Sequence, residues 1–195
     1  MSEVPLIDDD ELMIGMQGGD SRAFETLVGR NQQSLISFFF SNTHDLQFAE
    51  DLTQETLLRV YDQSWDYLPT GRFRGWMFRI ARNLLIDNIR RRSHDALVKS
   101  VRGTGDEHCV LAGLAEELLS PDEQADHREL AGLVEELLQE LPEEQRLTFT
   151  LHHFADLSLP EVGDILQANT ATTKSRLRLA REKLREKLVA RGVQG

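Results

Sequence analysis

Three groups of side chains in this 195-residue chain have the types and spacing to do chemistry, and in each the chemistry is recognition rather than bond-making. Asp51, Gln54 and Glu55 fall within two turns of a predicted helix and read on their own as a solvated acidic face, although carboxylates so arranged also suit an arginine-rich partner surface. Arg79, Arg82, Asn83 and Arg90 gather on one side of a second helix whose other side carries Phe73, Trp76, Met77, Ile80 and Leu84. Thr172, Ser175 and Arg178, flanked by Lys174 and Arg176, occupy the first turns of a third. Short polar side chains and arginines near a helix amino terminus reach base edges in a DNA major groove. No phosphate-binding glycine loop, nucleophile motif or paired catalytic carboxylate accompanies them, so no enzymatic activity is expected. His108-Cys109, with His94 and His127, lacks the ligand-pair spacing of a zinc finger, and no metal or cofactor is assigned.

Charge supports this reading. The net charge of −11 resolves into four blocks: −10 over residues 1–71, +7 over 72–102, −12 over 103–145 and +4 over 146–195. The two positive blocks coincide with the two candidate nucleic-acid helices, and a basic stripe acts on phosphates over about 8 Å at physiological salt whatever the sum. Cys109 is the only cysteine, which excludes an internal disulfide framework and suits a reducing cytoplasm. The first residues are acidic, unlike a signal peptide. The most apolar stretch, Leu35 to Phe40, is too short to span a bilayer. A cytoplasmic protein without membrane insertion is expected.

The elements that must position these groups are helical. Leu, Glu and Arg dominate and hairpin signals are scarce, so the fold class is all-α, with two small helical domains. Helical periodicity runs through Ser21 to Ser41, Leu46 to Leu68 and Phe73 to Arg92, giving a first domain over 1–92. Residues 93–119 lose the period, are interrupted by Gly103 and Gly105 and accumulate acids, which reads as a flexible acidic linker. A second domain, 120–195, opens with Ser120-Pro121-Asp122-Glu123 as a capped helix start that continues to Leu141. Pro142-Glu143-Glu144 begins another helix. Ser158-Leu159-Pro160-Glu161 is a capping box for a short helix with Val162, Ile165 and Leu166. A turn at Gln167 to Asn169 leads into a long helix with Thr173, Leu177, Ala180, Leu184 and Leu188 on one face. That is a helix-turn-helix.

The run Ala49-Glu50-Asp51-Leu52-Thr53-Gln54-Glu55-Thr56, followed by Phe73-Arg74-Gly75-Trp76-Met77-Phe78-Arg79-Ile80-Ala81-Arg82-Asn83-Leu84-Leu85-Ile86-Asp87, resembles region two of the extracytoplasmic-function sigma factors of the sigma-70 family. Leu141-Pro142-Glu143-Glu144-Gln145-Arg146 through Leu188 resembles region four of the same family. The resemblance implies an RNA polymerase sigma factor. Asp51, Gln54 and Glu55 would contact the β′ clamp helices of core polymerase. Arg72, Arg74, Arg79, Arg82, Asn83 and Arg90 would serve the minus-10 element, with the loop Asp66 to Arg72 capturing a flipped base. Thr172, Lys174, Ser175, Arg176 and Arg178 would read the minus-35 element. Further implied partners are the β flap, promoter DNA and an anti-sigma factor.

Some assignments stay open on the residues alone. Trp76 has the ring of a stacking platform, but its register with Ile80 and Leu84 favours a core position. Asp87 recurs in the family pattern, or organises Arg90 and Arg91. Gln167 stands where the family's turn usually has glycine, Thr173 where an aliphatic is usual, and Leu179 where arginine is usual. A stand-alone helix-turn-helix regulator, or a sigma-like decoy for an anti-sigma protein, would share much of this pattern.

Overall fold

Asp8, Asp20, Asp45 and Asn169 each stand one residue before a helix, and each side chain accepts a backbone amide of the first turn, at 2.7, 2.9, 3.0 and 2.8 Å. Such caps satisfy amides that the helix itself leaves unpaired, and they fix where four helices begin. The computed structural model describes residues 8–96 and 127–193. Helices α1 (Asp9–Gln17), α2 (Ser21–Thr43), α3 (Leu46–Asp62) and α4 (Phe73–Ala96) form the amino-terminal half, with one 3-10 turn at Ser64–Asp66. The carboxy-terminal half contains α5 (His127–Gln139), α6 (Glu143–Phe154), α7 (Leu159–Leu166) and α8 (Thr170–Ala190). Among the described residues there is no strand, and the fold is all-α, with two helical domains.

Several boundaries differ from the periodicity. The pattern through Leu46 to Leu68 carries a helix only to Asp62, after which the chain tightens into the 3-10 turn and an extended loop. α4 continues past Arg92 to Ala96, into the stretch read as linker. α5 stops at Gln139 rather than Leu141, because Pro142 enforces an extended lead-in to α6. The Ser120 cap, the rest of the linker and His108-Cys109 lie outside the described residues.

α2 organises the core. Its carboxy-terminal half buries Leu35 and then every residue from Ser37 to Asn42. A helix apolar on one stripe is covered from one side, whereas one buried all round must be covered from several. α3 and α4 cover one side through Leu52, Val60, Met77, Phe78 and Leu85, and α6 covers another. Leu147, Leu151, Ala155, Leu157, Val162 and Ile165, all from the carboxy-terminal half, therefore belong to the same apolar cluster as α2 and α4. A second cluster lies wholly in the carboxy-terminal half: Val134, Leu137, Leu138, Leu141 and Phe149 pack on Leu177, Ala180, Leu184 and Leu188. Lys187 pairs with Glu140 beside it, holding that carboxyl below its usual range, and Arg191 approaches Glu136 at 3.7 Å.

Polar groups also stitch the halves together. The Asn42 amide donates to Phe38 O at 2.7 Å and to Thr150 Oγ1 at 3.1 Å, while Gln139 Nε2 donates to Ser41 O at 2.7 Å. Arg146, partly buried, donates to Gln139 O at 3.3 Å and Asn42 Oδ1 at 3.4 Å, and desolvation pulls its pKa below the usual guanidinium value.

Candidate polymerase and nucleic-acid interfaces

α3 turns Phe48, Ala49, Leu52, Thr53, Thr56, Leu57 and Val60 inward, which leaves Asp51, Gln54 and Glu55 exposed together on the outer face. Thr53 and Thr56 lie inside the helix because their hydroxyls bond back to Ala49 O and Leu52 O at 2.8 and 2.7 Å. Glu55 pairs with Arg59 at 2.8 Å and Asp51 accepts from Gln47 at 3.3 Å, both in solvent, so both carboxylates can exchange partners at little cost. Leu58 and Tyr61, about half exposed, and Trp65, 73% exposed, extend this surface beyond the motif. The sequence reading did not single them out; three large apolar side chains after an acidic helix face were the available signal.

In α4, Phe73, Met77, Phe78, Ala81, Leu84 and Leu85 are buried. Arg79, Asn83 and Arg90 are exposed and share one face, being four and eleven residues apart at 3.6 per turn. Arg82 lies half-buried beside them, its Nη1 donating to Asn83 Oδ1 at 3.3 Å. Arg74 does not join this face. Five residues before Arg79, it stands about 140° around the helix, and its guanidinium donates to Ala155 O at 2.9 Å, Phe154 O at 3.3 Å and Ser34 Oγ at 3.3 Å. Trp76 is partly buried against Tyr67, 4.9 Å between ring centroids, and packs on the core as its register indicated.

The loop before α4 is held by α1, a role sequence reasoning missed. The buried Asp10 carboxylate accepts the Tyr67 hydroxyl at 2.6 Å and the Gly71 amide at 2.5 Å. Gln17 Nε2 donates to Ser64 O at 2.7 Å and Tyr67 O at 3.0 Å. Burial, then the Asp10 hydrogen bond and charge, push the Tyr67 phenol well above its ordinary pKa. Gly71 has φ +71°, in the left-handed region that a side chain disfavours. The loop frames an open cleft of about 260 Å³ with Asp66, Tyr67, Leu68, Thr70, Arg72, Gly75, Trp76 and Arg79 on one side. Glu161, Asp164 and Ile165 of α7 form the other.

The helix-turn-helix forms as its capping box dictates, with the Glu161 carboxylate accepting the Ser158 amide at 3.0 Å. Gln167 closes α7 in the left-handed region at φ 54°, supplying the geometry usually given to glycine. Gly163 is where glycine is required, since a Cβ there would meet Ala168 O at 2.6 Å and Thr173 Oγ1 at 3.1 Å. α8 buries Thr173, Leu177, Ala180, Leu184 and Leu188, the face expected. Thr173 sits buried where an aliphatic is usual because its hydroxyl bonds Asn169 O at 3.1 Å. On the outer side Lys174, Ser175 and Arg178 are exposed, Arg178 pairing with Glu182 at 2.5 Å. Thr172 is half-buried; Arg176, its side chain only 20% exposed, is drawn to Glu144 of α6 at 2.5 Å. A groove of about 1070 Å³ follows α8, its walls shared between the apolar Leu159, Leu177, Leu188 and Val189 and the polar Lys174, Ser175, Arg178 and Arg185.

Acidic stripe, basic stripe and helix-turn-helix thus stand in one chain in a fixed order. Residues 27–94 match the family model for sigma-70 region 2, and residues 131–184 match that for sigma-70 region 4. The chain is 28% identical to the RNA polymerase sigma-H factor of Pseudomonas aeruginosa over 89% of its own length and 90% of that protein. It is 30% identical to the ECF RNA polymerase sigma factor SigM of Bacillus subtilis over 80% and 88%. In fold it is similar to CnrH, solved in complex with the cytosolic domain of CnrY (TM-score 0.67, 24% identity, 93% and 97% covered). The sigma factor RpoE of Bartonella quintana, solved with the anti-sigma factor NepR, is also similar (TM-score 0.64, 22% identity, 85% and 96% covered). This chain belongs to the extracytoplasmic-function sigma factors of the sigma-70 family. Its function is that of an RNA polymerase sigma factor in transcription initiation. Among the described residues no helix is long and apolar enough to cross a membrane, and no group of three or more His, Cys, Asp or Glu side chains could hold a metal ion.

Proposed function

We propose that the chain divides its work among three faces, with a first domain over 1–92, a linker over 93–119 and a second domain over 120–195. Asp51, Gln54 and Glu55 dock on the β′ clamp helices of core polymerase. Arg72, Arg79, Arg82, Asn83 and Arg90 engage the minus-10 strand, joined by Arg74 once it leaves Ala155. Thr172, Lys174, Ser175 and Arg178 meet the minus-35 duplex, with Arg176 beside them. The β flap is a further polymerase partner, assigned to the second domain. Two solved neighbours carry bound partners, the cytosolic domain of CnrY and the anti-sigma factor NepR, so an anti-sigma partner is assigned here as well. The factor works in the cytoplasm and performs no catalysis of its own.

The observation that carries this reading is the exposure of Asp51, Gln54 and Glu55 on α3, of Arg79 and Arg90 on α4 and of Lys174 and Arg178 on α8, elements whose opposite sides are packed. Charge laid out in that way meets opposite charge on two different partners. The test is the full-length Asp51→Lys/Glu55→Lys variant. Both positions are exposed and Leu52, Leu57 and Val60 are untouched, so its thermal transition and its binding to a minus-35 duplex should stay as in the parent. Like-charge repulsion at the clamp should abolish co-elution with core polymerase and run-off transcription. Co-elution at parental affinity refutes the docking face.

A further inference from the structure

We infer that α1 belongs to the minus-10 reader: Asp10 and Gln17 are positioning residues that hold the loop from Asp66 to Arg72 in the shape that receives an unpaired base. The inference rests on the minus-10 assignment made above, with base capture by this loop, and adds to it two side chains that act on DNA only through others.

The loop has little of its own to fix its shape. Residues 68–72 are all exposed, and of the side chains from Asp66 to Arg72 only that of Tyr67 is buried. A segment with so few buried apolar contacts keeps one shape only where hydrogen bonds hold it. Gly71 turns the backbone through φ +71° with open space where a Cβ would stand, so crowding does not force that turn. α1 does the holding. Both carboxylate oxygens of Asp10 are engaged, Oδ1 accepting the Tyr67 hydroxyl at 2.6 Å and Oδ2 the Gly71 amide at 2.5 Å. The Thr70 amide bonds the Tyr67 oxygen in turn. Hydrogen bonds to a carboxylate are stronger than those between neutral groups, and this one is buried, where water competes least. Gln17 stands two turns further on, on the same side of α1, and donates to Ser64 O at 2.7 Å and Tyr67 O at 3.0 Å. The two grips are about 10 Å apart along the helix axis, one at each end of the loop.

α1 is itself fixed. Leu12, Met13 and Met16 are buried in the cluster that contains α2, α3 and α4, Asp8 and Glu11 close a capping box, and Asp9 pairs with Arg30 of α2 at 3.1 Å. Neither Asp10 nor Gln17 lines the cleft beside the loop, and an acid that did so would repel the phosphates of the strand. Behind the loop the same acid is harmless to DNA and useful to the backbone. An unpaired base leaves its stack at a cost, and a pocket that had to be ordered at that moment would add its own conformational entropy. A loop already held in shape meets only the first cost, which leaves more of the binding energy to the captured base.

The experiment separates positioning from plain stability. Full-length parent, Asp10→Asn and Gln17→Ala are each assembled with core polymerase and titrated with a single-stranded oligonucleotide spanning the minus-10 element of a promoter that the parent transcribes. Each base in turn is then replaced by an abasic sugar. The ratio of intact to abasic affinity, taken on one preparation, cancels whatever fraction of the protein is unfolded, so a merely structural role leaves every ratio unchanged. In the parent one position, the captured base, should carry a penalty of about tenfold or more. Asp10→Asn, which turns an amino group toward the Gly71 amide, should cut that penalty to about threefold or less and leave the other positions within about twofold of the parent. Gln17→Ala should lower it in the same sense; it strands no buried charge, so it decides the matter if Asp10→Asn does not fold. Retention of the full penalty by the folded variants, or an equal loss at every position, overturns the inference while base capture by the loop stands. A parent with no position-dependent penalty overturns the base-capture assignment and the inference with it.

Discussion

At the scale of single residues, the two arginines near the start of α8 part company. Arg178 is 62% exposed and held only by an i,i+4 partner in solvent, whereas Arg176 is 20% exposed and bonded to Glu144 across the helix-turn-helix. The sequence places both where a base reader belongs, since type and spacing are all it shows; burial separates them. Arg178→Ala should cost about 1–3 kcal/mol of minus-35 binding and relax preference at one base position. Arg176→Ala should weaken binding less and equally for all sequences, because it removes a groove-shaping ion pair. Fluorescence anisotropy with single-base minus-35 variants distinguishes the two, and a position-specific loss for Arg176→Ala would reverse the assignment.

At the scale of elements, α1 is the component least legible in advance. Its residues begin in the acidic amino terminus, and nothing in that composition shows that Asp10 points inward to hold Tyr67 and Gly71. A buried carboxylate reveals itself only through its partners, which here lie 57 and 61 residues away. The helix-turn-helix was far more legible, because capping box, turn and buried stripe are local signals that agree with one another. The Tyr67 phenol yields a pH prediction. Its folded pKa is raised, so the neutral form is the one the fold stabilises; the contribution is complete below the unfolded value of about 10 and is lost as pH rises beyond it. Parent protein should lose stability between about pH 9.5 and 11 more steeply than Tyr67→Phe. Thermal unfolding across that window checks it, and parallel slopes would contradict it.

At the scale of the whole molecule, the sequence conveyed two helical domains but not that their cores join. Periodicity says which side of a helix is buried, not which neighbour buries it. Leu147 and Leu151 are apolar positions of the helix begun by Pro142-Glu143-Glu144, yet they pack in the cluster of α2. The signal that was present is Phe38-Phe39-Phe40, three consecutive aromatics that no single helix face can hold and that therefore demand cover from more than one direction. The shared core predicts how the free protein melts. Leu151→Ala, at a fully buried position, should cost about 2–5 kcal/mol and lower one transition that includes the amino-terminal helices. Calorimetry with a calorimetric-to-van't Hoff enthalpy ratio near one would agree; two transitions, of which only one moves, would show the domains melting independently.

The dependence of the loop on Asp10 reaches into how the polypeptide is made. Methionines stand at positions 13 and 16, just beyond that carboxylate. A product begun at either codon, or a clone trimmed there to discard an untidy leader, would retain both family motifs and every proposed contact from Asp51 to Arg178. It would lack Asp10, and so lose the carboxylate that accepts the Tyr67 hydroxyl and the Gly71 amide, leaving Gln17 as the tether of that loop. Such a shortened protein would still be recognisable by homology as the same factor, yet the loop proposed to capture the flipped base would be more loosely held, so the choice of start codon bears on that proposed role.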